Sequence, residues 1–104
     1  MLHFYQALKT LNAGDDARNT AIGYTTGKAL TTGVRHVLIG ALAGEALTEG
    51  DKNVAIGYSA LKADTLGSRS VAIGHDALQA QNFTTATDAY NVAVGDSAGL
   101  LVTT

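Results

Sequence analysis

The sequence predicts an all-β chain wound as a parallel β-solenoid of seventeen-residue coils, and three observations carry this. Gly23, Gly40, Gly57 and Gly74 stand seventeen residues apart, closing the segments T-A-I-G, V-L-I-G, V-A-I-G and V-A-I-G. Gly95 closes a fifth copy, V-A-V-G, after twenty-one residues, so four residues are inserted while the apolar segment is kept. Within each copy, β-branched residues alternate with mostly small ones, the period-two pattern of a strand with two unlike faces. A unit this short cannot enclose a core, so each copy must stack on the next. Function then belongs to a rod and its surface rather than to one pocket.

Residues 1–18 are read as a degenerate first coil or N-terminal cap. Leu2, Tyr5, Leu8 and Leu11 have the i, i+3 spacing of a helix face, but Tyr5 to Lys9 (Y-Q-A-L-K) also matches Tyr58 to Lys62 (Y-S-A-L-K). Residues 13–18 form a slightly longer corner. Residues 19–104 are the repeat domain, with an inserted loop near 81–90.

Each repeat opens on a polar residue, Asn19, His36, Asn53, Ser70 or Asn91, able to hydrogen-bond along a stack or to nearby backbone. The strand follows. Its outer columns are Thr20, Val37, Val54, Val71, Val92 and Ile22, Ile39, Ile56, Ile73, Val94. Val37, Ile39, Val54, Ile56, Val71, Ile73, Val92 and Val94 are assigned to the core. Ala21, Leu38, Ala55, Ala72 and Ala93 lie between them and are assigned to a flat outer contact face. The glycine after the strand supplies a bend or a close backbone approach. A second small column, Thr26, Ala43, Ala60, Ala77, Ala98, precedes Gly27, Gly44, Leu61, Leu78, Gly99 and predicts a second, less regular strand. Thr31, Thr48 and Thr65 share an offset with Asn82, and Gly33, Gly50 and Gly67 mark a second corner. Successive coils would pair in register at about 4.8 Å.

The 104 residues suit one domain, but twelve glycines, no proline, no tryptophan, four tyrosines and two phenylalanines indicate small residues and tight turns rather than a bulky core. The formal net charge of -2 excludes general electrostatic attraction to nucleic acid or anionic membranes and leaves only local stripes. The absence of cysteine excludes disulfides and thiolate metal sites. The longest apolar run, residues 37–47, falls short of the ~20 residues of a membrane helix, and residues 1–12 lack the pattern of a signal peptide.

The runs N-T-A-I-G-Y from Asn19, N-V-A-I-G-Y-S-A-L from Asn53 and S-V-A-I-G-H-D-A-L from Ser70 resemble the N-x-A-I-G-x-x-A-L head repeats of trimeric YadA-like adhesins. Closely similar repeats occur in bacteriophage tail fibres. The resemblance covers residues 19–104; residues 1–18 match poorly. It implies a left-handed parallel β-roll, three chains side by side around an axis, and a place on a virion tail fibre or bacterial cell surface. A thin coil with a small-residue face is consistent with such a homotrimer, with the Ala21, Leu38, Ala55, Ala72, Ala93 column between chains. Leu38 and Leu42 depart from the small or polar residues of the other copies and would thicken that contact. The abrupt start and stop of the repeat predict an excerpt from a longer fibre.

Arg18, Arg35, Lys52 and Arg69, again seventeen apart, form a cation ladder suited to phosphates or carboxylates of a surface polysaccharide. The competing assignment is a solvated edge neutralised by Asp15, Asp16, Asp51 or acids of a neighbouring chain. His3, His36 and His75 fall in different columns, which predicts no repeated metal site and no cofactor. His75 and Asp76, with Ser59 and Ser70 nearby in sequence, lack the spacing of a hydrolytic triad. One threonine column is not the lattice an ice-binding surface needs. Tyr24 and Tyr58 share a column with Ala41, His75 and Asp96 and offer stacking platforms for sugars or for lateral packing. Asn82-Phe83-Thr84 fits a glycosylation sequon and marks the insertion.

These features predict a non-enzymatic, homotrimeric fibre or adhesin segment contacting a cell-surface glycan or protein receptor, without nucleic-acid binding or membrane insertion. A purely structural spacer is the alternative. A left-handed β-helix acyltransferase is the enzymatic outsider, because such enzymes use eighteen-residue coils of three hexapeptides, whereas each unit here has one apolar strand signature.

Overall fold

The computed structural model describes residues 6–12 and 17–104. It is an all-β solenoid of about four turns, built from stacked coils of about seventeen residues, with no helix among the described residues. Its strands are β1 (Thr20–Ile22), β2 (Val37–Ile39), β3 (Val54–Ile56), β4 (Gly67–Ser68), β5 (Val71–Ile73), β6 (Thr87–Asp88) and β7 (Val92–Val94). Strands β1, β2, β3, β5 and β7 form one parallel sheet in that order, and β4 pairs with β6 in a second. The register places equivalent repeat positions together: Ile39 lies opposite Ile56, Ile56 opposite Ile73, and Val71 opposite Val92. The four-residue insertion therefore leaves the main sheet in register.

The first corner follows from the glycine after each strand. Gly57 has φ +127°, which side-chain-bearing residues rarely adopt, and a Cβ there would lie 2.7 Å from the Gly74 carbonyl carbon of the next coil. Beyond the corner the expected second strand is instead a series of turns. Ser59 (φ 59°) and Leu61 (φ 52°) are left-handed, and the same two positions are left-handed in neighbouring coils, at Leu42 and Gly44 and at Asp76 and Leu78. Left-handed residues at alternate positions deny the chain extended geometry. The turns still stack: Ala60 N–H bonds Gly57 O within the coil at 3.1 Å, while Leu61 N–H bonds Ala77 O of the next at 2.9 Å.

The two faces of the main sheet are the reverse of the sequence expectation. Leu38, Ala55 and Ala72 are fully buried and Ala93 nearly so, all inside the coil, with Ala21 packed against the same core. Val37, Ile39, Val54, Ile56, Val71 and Ile73 are only half-buried, and Val92 and Val94 are exposed. The cause is volume. A flattened coil has room for one layer of large side chains, and Leu30, Leu47, Leu61 and Leu78 supply it from the turn side, so the strand contributes small residues. Leu38 tests the rule: where the strand carries leucine, the facing turn position is Gly44, and a Cβ there would meet both Leu38 methyls at 2.9 and 3.2 Å. Where the strand carries Ala55 or Ala72, the corresponding turn residue is Leu61 or Leu78. Leu38 thus thickens the core and not an intermolecular contact, and Leu42 is half-buried on the turn side.

Residues 6–12 lie on the first regular coil, with Leu8 N–H bonding Thr26 O at 3.0 Å and Asn12 N–H bonding Thr31 O at 2.7 Å. Leu8 and Leu11 pack on its core. Leu2, His3, Tyr5, Asp15 and Asp16 lie outside the described residues.

The column of Leu30 and Leu47 turns polar below, at Asp64 and Gln81, both fully buried. Asp64 accepts hydrogen bonds from Gly67 N–H (3.2 Å), Phe83 N–H (2.9 Å) and Gln81 Nε2 (2.8 Å). Gln81 also donates to Ser70 Oγ (3.1 Å) and accepts from Asn91 Nδ2 (2.7 Å). This buried network ties the insertion to the stack, since Phe83 and Asn91 flank it. The inserted segment bulges at residues 84–86 and returns as β6 beside β4.

Candidate functional site

The described residues present four surface features, three fixed by the coil repeat and one by the insertion. The broadest is the outer face of the main sheet, where two β-branched columns run down five paired strands. Four strand spacings of ~4.8 Å make this apolar stripe roughly 19 Å tall. No chain segment among the described residues covers Val92 or Val94, which are 70% and 65% exposed.

The cation ladder occupies one edge. Arg18, Arg35, Lys52 and Arg69 are all left-handed, with φ between 48° and 64°. Their amides bond the preceding coil, as in Lys52 N–H to Val34 O (2.9 Å) and Arg69 N–H to Asp51 O (3.0 Å). The geometry brings the four residues into one column. Arg18, Arg35 and Arg69 are exposed and Lys52 is half-buried. At its lower end, Arg69 Nε pairs with Asp88 at 3.1 Å, and its guanidinium lies 5.7 Å from the centroid of Tyr90, the residue in the fifth cation position. Asp51, expected to neutralise the ladder, accepts Val34 N–H at 2.9 Å.

Beside that end, the insertion shapes a cavity of about 420 Å³ lined by Glu49, Asp51, Leu66, Ser68, Ala86, Thr87 and Asp88. The sequence marks an exposed loop here but not the cavity, because its walls come from three coils and depend on how β6 returns to β4. Among the described residues, no group of three or more His, Cys, Asp or Glu side chains is arranged to hold a metal ion.

The fourth feature is the ring column at the first corner. Tyr58 and His75 stack with ring centroids 5.3 Å apart and planes inclined by 15°. His75 Nδ1 lies 3.2 Å from Asp76 Oδ2 and 4.0 Å from Asp96 Oδ1. The structure keeps the serines and the histidine apart: Ser70 Oγ points inward to Gln81 and Ser59 is buried, whereas His75 is exposed. The threonine column is also internal: Thr31 and Thr48 hydroxyls donate to Thr48 O and Thr65 O of the coil below, at 3.3 and 3.2 Å.

The polar column is a ladder in which His36 replaces asparagine. Asn53 Nδ2 donates to Gly67 O (2.8 Å) and its Oδ1 accepts Ser70 N–H (2.8 Å). At the coil above, His36 Nε2 bonds Gly50 O (2.7 Å) and its Nδ1 accepts Asn53 N–H (3.2 Å). The backbone donor at Nδ1 fixes the neutral Nε2–H tautomer. Burial lowers the His36 pKa from the usual 6.5, opposed by the hydrogen bond to Gly50 and the charge of Asp51.

No helix among the described residues is long and apolar enough to cross a membrane. Comparison of the chain with protein-family models, curated proteins and solved structures gives no match.

Proposed function

We propose that this chain is a segment of a homotrimeric fibre or adhesin that contributes to attachment to a host or cell surface, and that it performs no catalysis. The observation that carries the proposal is the outward β-branched stripe. A solenoid covers its core with its own coils, and the inner columns already do so here. A second face, β-branched over five strands and wholly apolar over the last four, is therefore surplus to the single chain and suits burial against other chains. The stripe is only two side chains wide, which fits three copies meeting along an axis, each giving a narrow edge. This assigns the intermolecular contact to Val37, Ile39, Val54, Ile56, Val71, Ile73, Val92 and Val94, in place of the alanine column. The resemblance of the V-A-I-G repeats to YadA-like heads and phage fibres supports an extracellular location, on a virion or a bacterial surface.

In such an assembly the cation edge stays outward, and three copies present three ladders to an anionic polysaccharide. Mass measurement in solution tests the assembly: a species of three chains is expected, dissociated by the pair Ile56→Glu and Ile73→Glu. A wild-type chain that stays monomeric across dilution overturns it. Whole-cell binding by the trimer, weakened by Arg35→Gln with Lys52→Gln, tests the contact; a trimer that binds no cell or glycan is a structural spacer.

A further inference from the structure

We propose that Tyr24 and Tyr58 form the walls of a slot, floored by Ala41, that takes one pyranose ring of a surface glycan. The slot deepens the attachment role proposed above by naming a ligand class and a place. Tyr24, Ala41, Tyr58 and His75 occupy the same position in four successive coils. The coils are locked together at this corner by Leu42 N–H to Tyr24 O (3.0 Å), Ser59 N–H to Ala41 O (3.0 Å) and Asp76 N–H to Tyr58 O (2.9 Å).

The Tyr58–His75 pair shows how rings in this column lie: nearly parallel, at little more than the spacing between coils. Tyr24 leaves its coil by the same backbone path as Tyr58. The preceding glycines have φ 133° and 127°, the following residues 53° and 59°, and the two tyrosines are equally exposed at 51%. Between them stands the methyl group of Ala41, where the coils on either side carry a tyrosine. The walls are thus two coil spacings apart, ~9.6 Å.

That height selects the occupant. A flat aromatic ring in contact with both walls at about 3.5 Å needs only about 7 Å, and would rattle. A pyranose chair is thicker, because hydrogens project from both faces of its puckered ring, and those C–H groups pack against aromatic faces while its hydroxyls point sideways to solvent and polar neighbours.

The test is titration of the full chain, followed by saturation-transfer NMR, with the methyl pyranosides of glucose, galactose, mannose and N-acetylglucosamine, and with phenol and indole as flat probes. At least one pyranoside is expected to bind and to draw saturation from tyrosine ring protons. Tyr58→Ala and Tyr24→Ala should each weaken binding about tenfold or more. Ala41→Tyr guards against misfolding, because it completes the ring column with a residue that both neighbouring coils accept; it should abolish sugar binding while retaining the fold. Failure of every pyranoside to bind, tighter binding of phenol or indole than of any sugar, or unchanged sugar binding by Ala41→Tyr would each overturn the slot. Solution mass is measured on the same samples. A trimer that takes no sugar removes the slot alone, and a monomer that takes it removes the trimer alone.

Discussion

At the scale of single residues, His36 shows how a repeat tolerates a substitution by preserving hydrogen-bond roles. An imidazole can match the asparagine of the coil below only when neutral, with its proton on Nε2. Protonation places a second N–H against the Asn53 amide and a charge inside the stack. Because the folded pKa is lowered, the unfolded chain binds the proton first, so this site's stabilisation is complete above about 6.5 and declines as pH falls through that value toward the lower folded pKa. Thermal melts from pH 8 to 5 should show a decline in wild type that is reduced in His36→Asn. Equal pH dependence in both would mean that His36 does not titrate in this way. The polar column was legible in the sequence as a set of hydrogen-bonding residues. The burial of Asp64 and Gln81 was not, because their column begins with Leu30 and Leu47 and its polarity changes only where the insertion must be anchored.

At the scale of the coil, strand and turn share one interior and compensate each other's volume. Leu38 over Gly44 and Ala55 over Leu61 are alternative fillings of the same space. Leu38→Ala alone should cost about 2–5 kcal/mol, the range for emptying a packed site. Adding Gly44→Leu to it moves the leucine to the turn side, as in the next coil, and should recover part of the loss, since Leu61 and Leu78 already hold the left-handed conformation that Gly44 adopts. Leu47, which a Cβ at Gly44 would meet at 2.9 Å and which is replaced by Asp64 in the next coil, limits the recovery. Denaturant unfolding of the single and double variants measures this directly. Simple additivity of two losses would show that the two sites do not share volume. The strands themselves were legible from the alternating V-A-I segments. The turn side was misread as a strand because alanine and glycine columns at fixed offsets do not distinguish extended from left-handed backbone.

At the scale of the whole molecule, burial separates two kinds of substitution that a sequence pattern treats alike. Ala72→Asp places a carboxylate inside the coil and should unfold the chain or cost about 3 kcal/mol or more, whereas Ile73→Asp, one residue later, should leave the coil folded and weaken chain association. Circular dichroism and solution mass of the two variants decide the matter; a folded, dissociated Ala72→Asp would restore the alanine column as the intermolecular face. The sequence alone determined the period, the positions of the strands of the main sheet and their register, because repeats at constant spacing can bury their apolar segments together only by aligning equivalent residues. It also placed the four cations along one edge. Which strand face lies inside was decided only by the tertiary structure: alternation is unchanged when the two faces are exchanged, and the choice rests on how much space the leucines of the opposite side leave in a thin coil.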